Sequence, residues 1–534
     1  MTLPYANSVR KYQLQGNTFR GYRREPFGSL SAFWDMQNMT GADAPLIRTR
    51  DKRYRVCQIV KCNGIFGGDK IGWCDRNTLV YDGEMVGVLK EDSPKTFVRM
   101  GAMVLIFPDK MIYNTHTNTL TSMEHTVETP VAHAPCDMLG EDVPADEAVY
   151  VRLQGTDIGK GFKSKDVVVF SGAFEWLNGA RQIERVLSDD KIVVMAVEDA
   201  ADEGLNGTVK IARTTPDMDY VTECDNRIWG CSSKNHEIYA CKLGDPTNWQ
   251  SYQGLADDAY AVTVGSEGDF TGAMTHMGYV YFFKENMHHK VFGNKPSNYQ
   301  VQSSHVRGVE KGSEKSLCIL NETMYYHSPD GMCASNGALP QKADEALGNV
   351  RYHNVKCGAV RGRLWAAMTD EAGNNHLFTM DDGTMQWHRE DDTAVTAFAA
   401  AGNNLYMLKG TSELWCLTGE GDTTLRDGGA RWEEAPGYMV ETGDLDLANL
   451  YRKRLQKIHL RMTLDADATA KVMVQYDGGA WNSVWTAPGG KNLTSIMLPF
   501  VPRRCDRMRI RIEGTGMMRL YNLNAITQGG TEIG

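Results

Sequence analysis

A serine between glycines, a pair of adjacent histidines, doubled carboxylates and three closely spaced cysteines are the side chains of this sequence that could do chemistry. Gly265-Ser266-Glu267-Gly268 falls one residue short of the Gly-x-Ser-x-Gly elbow that presents a nucleophilic serine, and it lacks the strand-to-helix setting. His288-His289 sits in a strand-like run, where neighbouring side chains point to opposite faces and cannot share a metal. Asp381-Asp382 and Asp391-Asp392 read as turn residues in place of a general acid/base pair. Cys224, Cys231 and Cys241 lie near His236 at no recognised zinc spacing, and none of the 12 cysteines forms a Cys-x-x-Cys pair. Buried free thiols are the expectation. No phosphate loop and no His-Glu-x-x-His occurs. The local sequence therefore predicts no catalytic, cofactor-binding or metal-binding residue, no cofactor and no enzyme. A site gathered from distant residues, as propeller enzymes have, leaves no local signature.

Those residues ride on a recurring phrase: a turn residue, one or two aliphatics, then an aromatic. It appears as Thr78-Leu79-Val80-Tyr81, Lys110-Met111-Ile112-Tyr113 and Arg227-Ile228-Trp229. It returns as Tyr279-Val280-Tyr281, Thr323-Met324-Tyr325, Arg363-Leu364-Trp365 and Asn404-Leu405-Tyr406. From Trp229 onward the copies stand roughly 40–50 residues apart, the period of propeller blades. A blade is a four-stranded antiparallel sheet, and aromatic and β-branched residues suit its half-buried faces. The fold expected is all-β: a β-propeller of about seven blades with an inserted small β-barrel and a C-terminal β-sandwich.

Composition agrees. Of 534 residues, 42% are hydrophobic and 23% charged, enough for a sizeable core, and 53 glycines supply turns. The net charge of −10 argues against a broad basic surface that wraps nucleic acid. Its distribution is uneven: residues 1–61 carry 11 Lys/Arg against four acids, while Glu124–Glu147 holds seven acids and no Lys or Arg. The Met1-Thr2-Leu3-Pro4-Tyr5 start has no signal-peptide pattern and no apolar run reaches the length of a membrane span. Synthesis in a host cytoplasm, with no membrane span, is expected.

Five segments follow along the chain. Residues 1–53 form a basic N-terminal arm, laid across a neighbour or serving as a lead-in that closes the propeller. Residues 54–123 hold the first propeller part, with blades at about 54–92 and 95–123. An acidic, proline-containing linker then leads into five short strands, and residues 124–215 read as a small barrel inserted where insertions cost least. Residues 216–434 carry five more blades. In 435–534 the runs Lys457–Met462, Lys471–Tyr476 and Arg507–Ile512 alternate polar and apolar, as strands of a sandwich with one wet face do. The stripe of Arg507, Arg509 and Arg511 on one strand is either a solvated face or a dock for an acidic partner surface.

Several phrases in fixed order resemble a family of tailed-bacteriophage virion proteins, the packaged-DNA stabilisation proteins related to tail nozzle (hub) proteins. They are Asp35-Met36-Gln37-Asn38-Met39, Pro45-Leu46-Ile47-Arg48-Thr49-Arg50, Met100-Gly101-Ala102 with Ile106–Lys110, and Asn226-Arg227-Ile228-Trp229-Gly230. Ile238–Pro246, Arg504-Cys505-Asp506 and Glu513-Gly514-Thr515-Gly516 complete the set. The resemblance implies a structural virion protein of the tail or head-tail connector. It would be a homo-oligomer, as a hexamer forming a ring-shaped nozzle or adaptor, that conducts and retains DNA and takes part in its ejection. Its implied partners are portal, adaptor and other tail proteins, and passing double-stranded DNA bound without sequence specificity. A net negative conduit suits that role, since a basic lumen would hold DNA through many phosphates.

Two other functions compete. One is a tail-tip carbohydrate- or receptor-binding β-propeller using the sandwich or the aromatics Trp387 and Trp481. The other is a glycan hydrolase. Asp381-Asp382-Gly383-Thr384-Met385-Gln386-Trp387 is similar to the tail of the Asp-box turn of sialidase propellers, but it lacks the leading serine and occurs once.

Overall fold

In the computed structural model the chain is nearly all strand, and residues 11–197, 199, 202, 204–445, 452–488, 496–498, 501 and 503–529 are described. The fold is the expected β-propeller with an inserted closed barrel and a C-terminal sandwich. It divides into two compact units, Met1–Gly72 with Glu310–Gly534, and Trp73–Val309. Residues 1–10, including the Met1–Tyr5 start, lie outside the described residues.

The first unit contains three blades. Two are four-stranded meanders, spanning Cys318–Leu320 to Gln341–Lys342 and Tyr352–Val360 to Gln386–Arg389. The third has its inner strands at Val395–Ala401, Asn404–Lys409 and Glu413–Cys416, and its next strand comes from the other end of the sequence: Tyr54–Gln58 pairs antiparallel with Glu413–Cys416. This corrects the expected blade at 54–92. Tyr54–Gln58 completes the last blade, and the early meander runs from Cys62–Phe66 to Glu84–Val88. The strand's Tyr54, Val56 and Cys57 are buried, so an apolar surface fixes its place.

The same unit holds the sandwich. One sheet orders Phe33–Gln37, Gly437–Thr442, Met508–Thr515, Thr469–Tyr476 and Asn482–Pro488. The other carries Lys453–Leu464 beside Met518–Gly529, joined by Ile47–Thr49 and Lys11–Gly16. Alternate residues Leu455, Ile458, Leu460 and Met462 share a core with Val472, Val474, Ile510 and Ile512. Residues 11–53 are thus corrected from an arm: Lys11–Gly16, Phe33–Gln37, Met39–Thr40 and Ile47–Thr49 are strands of the sandwich sheets, and Phe19, Tyr22, Phe33 and Met36 are buried in their core. Strands of two to six residues are too short to show a period in the sequence.

The second unit contains blades at Thr96–Met100 to Thr119–Ser122, Tyr220–Cys224 to Tyr260–Thr263, and Gly272–His276 to Gln300–Ser304. Met100, Leu105 and Ile112 of the first pack in one core with Val221, Ile228 and Tyr239 of the second. The barrel lies between these two blades in sequence and closes with six strands, not five. The extra strand, His125–Cys136, pairs with Gly207–Arg213 through its first half and with Tyr150–Gln154 through its second. Pro130 and Pro135 had made that segment read as a linker, because proline cannot donate to a ladder.

Candidate functional site

The first unit carries a cleft of about 760 Å³, within the range of small-molecule sites. Its wall begins with Arg50-Asp51-Lys52-Arg53, where inside and outside alternate in pairs. Arg50 and Arg53 are buried, whereas Asp51 and Lys52 are exposed and line the cleft. Arg53 holds Glu390 through Nη2 at 2.6 Å and Asp391 through Nη1 at 2.7 Å. Arg50 donates from Nε to Asn38 Oδ1 at 2.7 Å and pairs with Glu433, which also accepts the Arg53 backbone N–H at 2.7 Å. Burial pushes the Asp391 carboxyl up, and the Arg53 and Arg50 guanidiniums outweigh it, holding the group at about 2. Removing one member of such a network strands a buried charge, so the network fixes the backbone at 50–53.

The opposite wall is a tight hairpin. Arg361 and Gly362 turn at φ 51° and 73° between Tyr352–Val360 and Arg363–Asp370, the left-handed pair that a two-residue turn needs. Arg363 donates from Nε to Asp381 Oδ1 at 2.7 Å, and its guanidinium lies 5.6 Å from the Trp365 ring centre. Trp365 is 4% exposed and donates its indole N–H to Glu390 Oε1 at 3.2 Å, tying this wall to the buried network. Trp432 stands at the rim, 42% exposed, with Tyr54 edge-on at 5.1 Å. The cleft thus combines an open indole with guanidinium, ammonium and carboxylate groups on a rigid base. Such a surface suits a ligand with one apolar face and a polar rim.

The residues singled out in the sequence lie elsewhere, apart from Asp381 in the cleft wall and Asp391 in the network beneath it. Ser266 Oγ meets His289 Nε2 at 2.9 Å in the second unit, while His289 Nδ1 meets Ser303 Oγ at 2.8 Å. Burial lowers His289 to about 4, so the imidazole is neutral, but no carboxylate among the described residues orients it. His288 takes the other face, against Tyr281 and Phe283. Cys224, Cys231 and Cys241 are buried, and burial pushes each thiol up, Cys241 to about 12, away from the thiolate a metal needs. Among the described residues no cluster of His, Cys, Asp and Glu could hold a metal ion.

The two proposed sugar platforms are corrected. Trp387 is 1% exposed and donates its indole N–H to Ala343 O at 2.8 Å inside the core. Trp481 is covered by the Arg511 guanidinium, 4.2 Å from its ring centre. The arginine stripe is already paired within the chain: Arg507 and Arg509 with Asp444 at 3.2 and 2.8 Å, Arg509 and Arg511 with Glu441 at 3.1 and 2.5 Å. Its acidic dock is the neighbouring strand Gly437–Thr442 and the residues just after it. The cleft left little trace in the sequence because its walls come from residues 51–52, 360–365, 381, 417–419 and 432.

No family model matches the chain, and no curated protein matches it. Among solved structures it is similar to an exo-β-1,3-galactanase from Phanerochaete chrysosporium with galactose, at 11% identity over 56% of this chain and 95% of that one, TM-score 0.21. It is also similar to phage phi92 endosialidase, at 9% identity over 76% and 68% of the two chains, TM-score 0.22. Raptor from Chaetomium thermophilum matches at 9% identity over 69% and 30%, TM-score 0.31. The expectation of a non-enzyme is withdrawn as a correction: glycoside hydrolases and an endosialidase are among these neighbours. At such identities the likeness is one of fold, and it carries no activity or substrate to this chain.

Proposed function

We propose that the chain is a carbohydrate- or receptor-binding β-propeller of a bacteriophage tail, with the Trp432 cleft as its binding site. The observation that carries this reading is the cleft itself: an indole left 42% open at the rim of a cavity of about 760 Å³ whose other walls set charged and polar groups beside Val360, Trp365 and Leu417. A sugar ring has the matching form, with C–H groups on a face and hydroxyls around the edge. Stacking on an aromatic ring fixes the face, and planar guanidinium and carboxylate groups fix the hydroxyls. The test is retention of the purified protein on immobilised host-surface polysaccharides, comparing wild type with Trp432→Ala. Retention that falls by tenfold or more in the variant supports the reading, and equal retention of both proteins rejects it.

A second reading, the ring-shaped nozzle or adaptor that conducts and retains phage DNA, is favoured by one observation of its own. The phrases from Asp35–Met39 to Glu513–Gly516 resemble, in their order, those of the packaged-DNA stabilisation family. It requires a symmetric homo-oligomer, a hexamer by that resemblance, in the virion tail or connector. Electron microscopy of the purified protein decides: a closed ring with an opening wide enough for duplex DNA supports it, and a monomer rejects it.

A further inference from the structure

We infer that the cleft selects acidic saccharides, with a carboxylate of the sugar held by Arg361, Arg363 and Lys52; this rests on the glycan-binding reading above. The charges lining the cleft are three basic groups and two acids, and the acids are already spent. Both oxygens of Asp51 are taken by Arg48, at 2.9 and 3.0 Å. Asp381 gives Oδ1 to Arg363 Nε at 2.7 Å. Arg363 makes that bond through Nε, so its two terminal nitrogens remain for a ligand, and the Trp365 ring beneath it fixes its plane. Arg361 is exposed and makes one long bond, Nη1 to Thr418 O at 3.4 Å. Among the described residues, no carboxylate lies within ion-pair distance of Arg361 or Lys52, whereas Arg50, Arg363, Arg389, Arg426 and Arg519 are each paired with one.

The geometry favours a planar anion. Arg361 is the first residue of a two-residue turn that Val360 and Arg363 close, so two guanidiniums issue from one hairpin end. A guanidinium presents its N–H groups as a fork that matches a carboxylate, and such bonds are about twice as strong as neutral ones. Trp432 supplies the apolar face on which the ring bearing that carboxylate stacks, and Tyr54, itself under the Arg426 guanidinium at 4.5 Å, holds the indole edge-on. A neutral saccharide would leave Arg361 and Lys52 without a counter-charge.

The experiment is calorimetric titration of the full chain with three hexuronate trisaccharides, the galacturonate, glucuronate and mannuronate forms, and with the methyl ester of each. The expected result is that at least one acid binds tenfold or more tightly than its ester. Arg361→Ala should weaken that acid by roughly 10- to 100-fold and its ester far less, so that the preference for acid over ester falls. Trp432→Ala should weaken acid and ester together, and far-ultraviolet circular dichroism should show both variants folded. Acid and ester binding equally would overturn the charge selection and leave the glycan reading standing. Binding of host polysaccharides without binding of any hexuronate would do the same. No binding of acids, esters or host polysaccharides would reject both. An oligonucleotide that binds with the same dependence on Arg361 would replace the saccharide by a phosphate backbone and overturn the inference.

Discussion

Arg53 and Glu390, 337 positions apart in sequence, meet at 2.6 Å between Nη2 and Oε2 with both side chains about 5% exposed. Asp391 joins them at 2.7 Å, and Trp365 donates to the other oxygen of Glu390. The pair joins the segment ahead of the first blade strand to the end of the Gln386–Arg389 strand, beneath the cleft. Arg53→Leu should leave Glu390 and Asp391 buried without their main counter-charge and cost about 3–5 kcal/mol of stability. Urea denaturation followed by tryptophan fluorescence measures it.

Asp391 gives that network a pH dependence. Its carboxyl is held at about 2, below the ordinary carboxylate range, so the folded state binds its proton less readily than the unfolded chain does. Its contribution is therefore complete above about pH 5 and disappears as the pH falls toward 2. The gap between wild type and Asp391→Asn should be about 2 kcal/mol near neutrality and close to zero at pH 2. Glu310 behaves in the same direction: burial raises it, but His327 and His353, at 3.1 and 3.0 Å, outweigh that and lower it.

Glu441 keeps the arginine stripe neutral. It holds Arg509 at 3.1 Å and Arg511 at 2.5 Å and is itself 8% exposed. Glu441→Gln should release Arg511 and leave Arg509 to Asp444 alone, lower stability by about 1–3 kcal/mol and raise retention on a heparin column. Wild type should elute at lower salt than the variant.

The last blade depends on a strand from the start of the chain. Val56 is fully buried, and Tyr54–Gln58 lies between Glu413–Cys416 and Arg431–Trp432. Truncation before residue 59 would remove the sandwich strands within residues 11–49 and strip the outer edge of Glu413–Cys416, uncovering Leu414 and leaving backbone groups unpaired. The truncated chain should bind a hydrophobic dye and aggregate on gel filtration, while Val56→Ala should stay monodisperse with a loss of about 1–2 kcal/mol.

How much of this the sequence carried depended on whether a feature was local. Trp229, Tyr281, Tyr325, Trp365 and Tyr406 all sit on the second strand of their blades and are buried, because one hairpin dictates both their spacing and their burial. Alternation over 457–462 and 507–512 likewise announced sandwich strands. Tyr54–Gln58 could not be placed, since the partner that selects it lies at 413–416. His125–Cys136 was hidden by two prolines. In the cleft, Asp381 read only as a turn residue and Trp365 only as a blade aromatic. Arg361, Lys52 and Trp432 had no distinguishing pattern, because burial of their neighbours, and not spacing, brings them together.

The pairing of Tyr54–Gln58 with Glu413–Cys416 also sets a timetable for biosynthesis. The earlier strand leaves the ribosome about 350 residues ahead of its mate, a delay of roughly 20–70 s at ~5–20 residues per second. Throughout that interval a strand rich in buried-type residues waits without its ladder. Completion of the final blade is accordingly a checkpoint that translation passes only once residues 413–416 have been made.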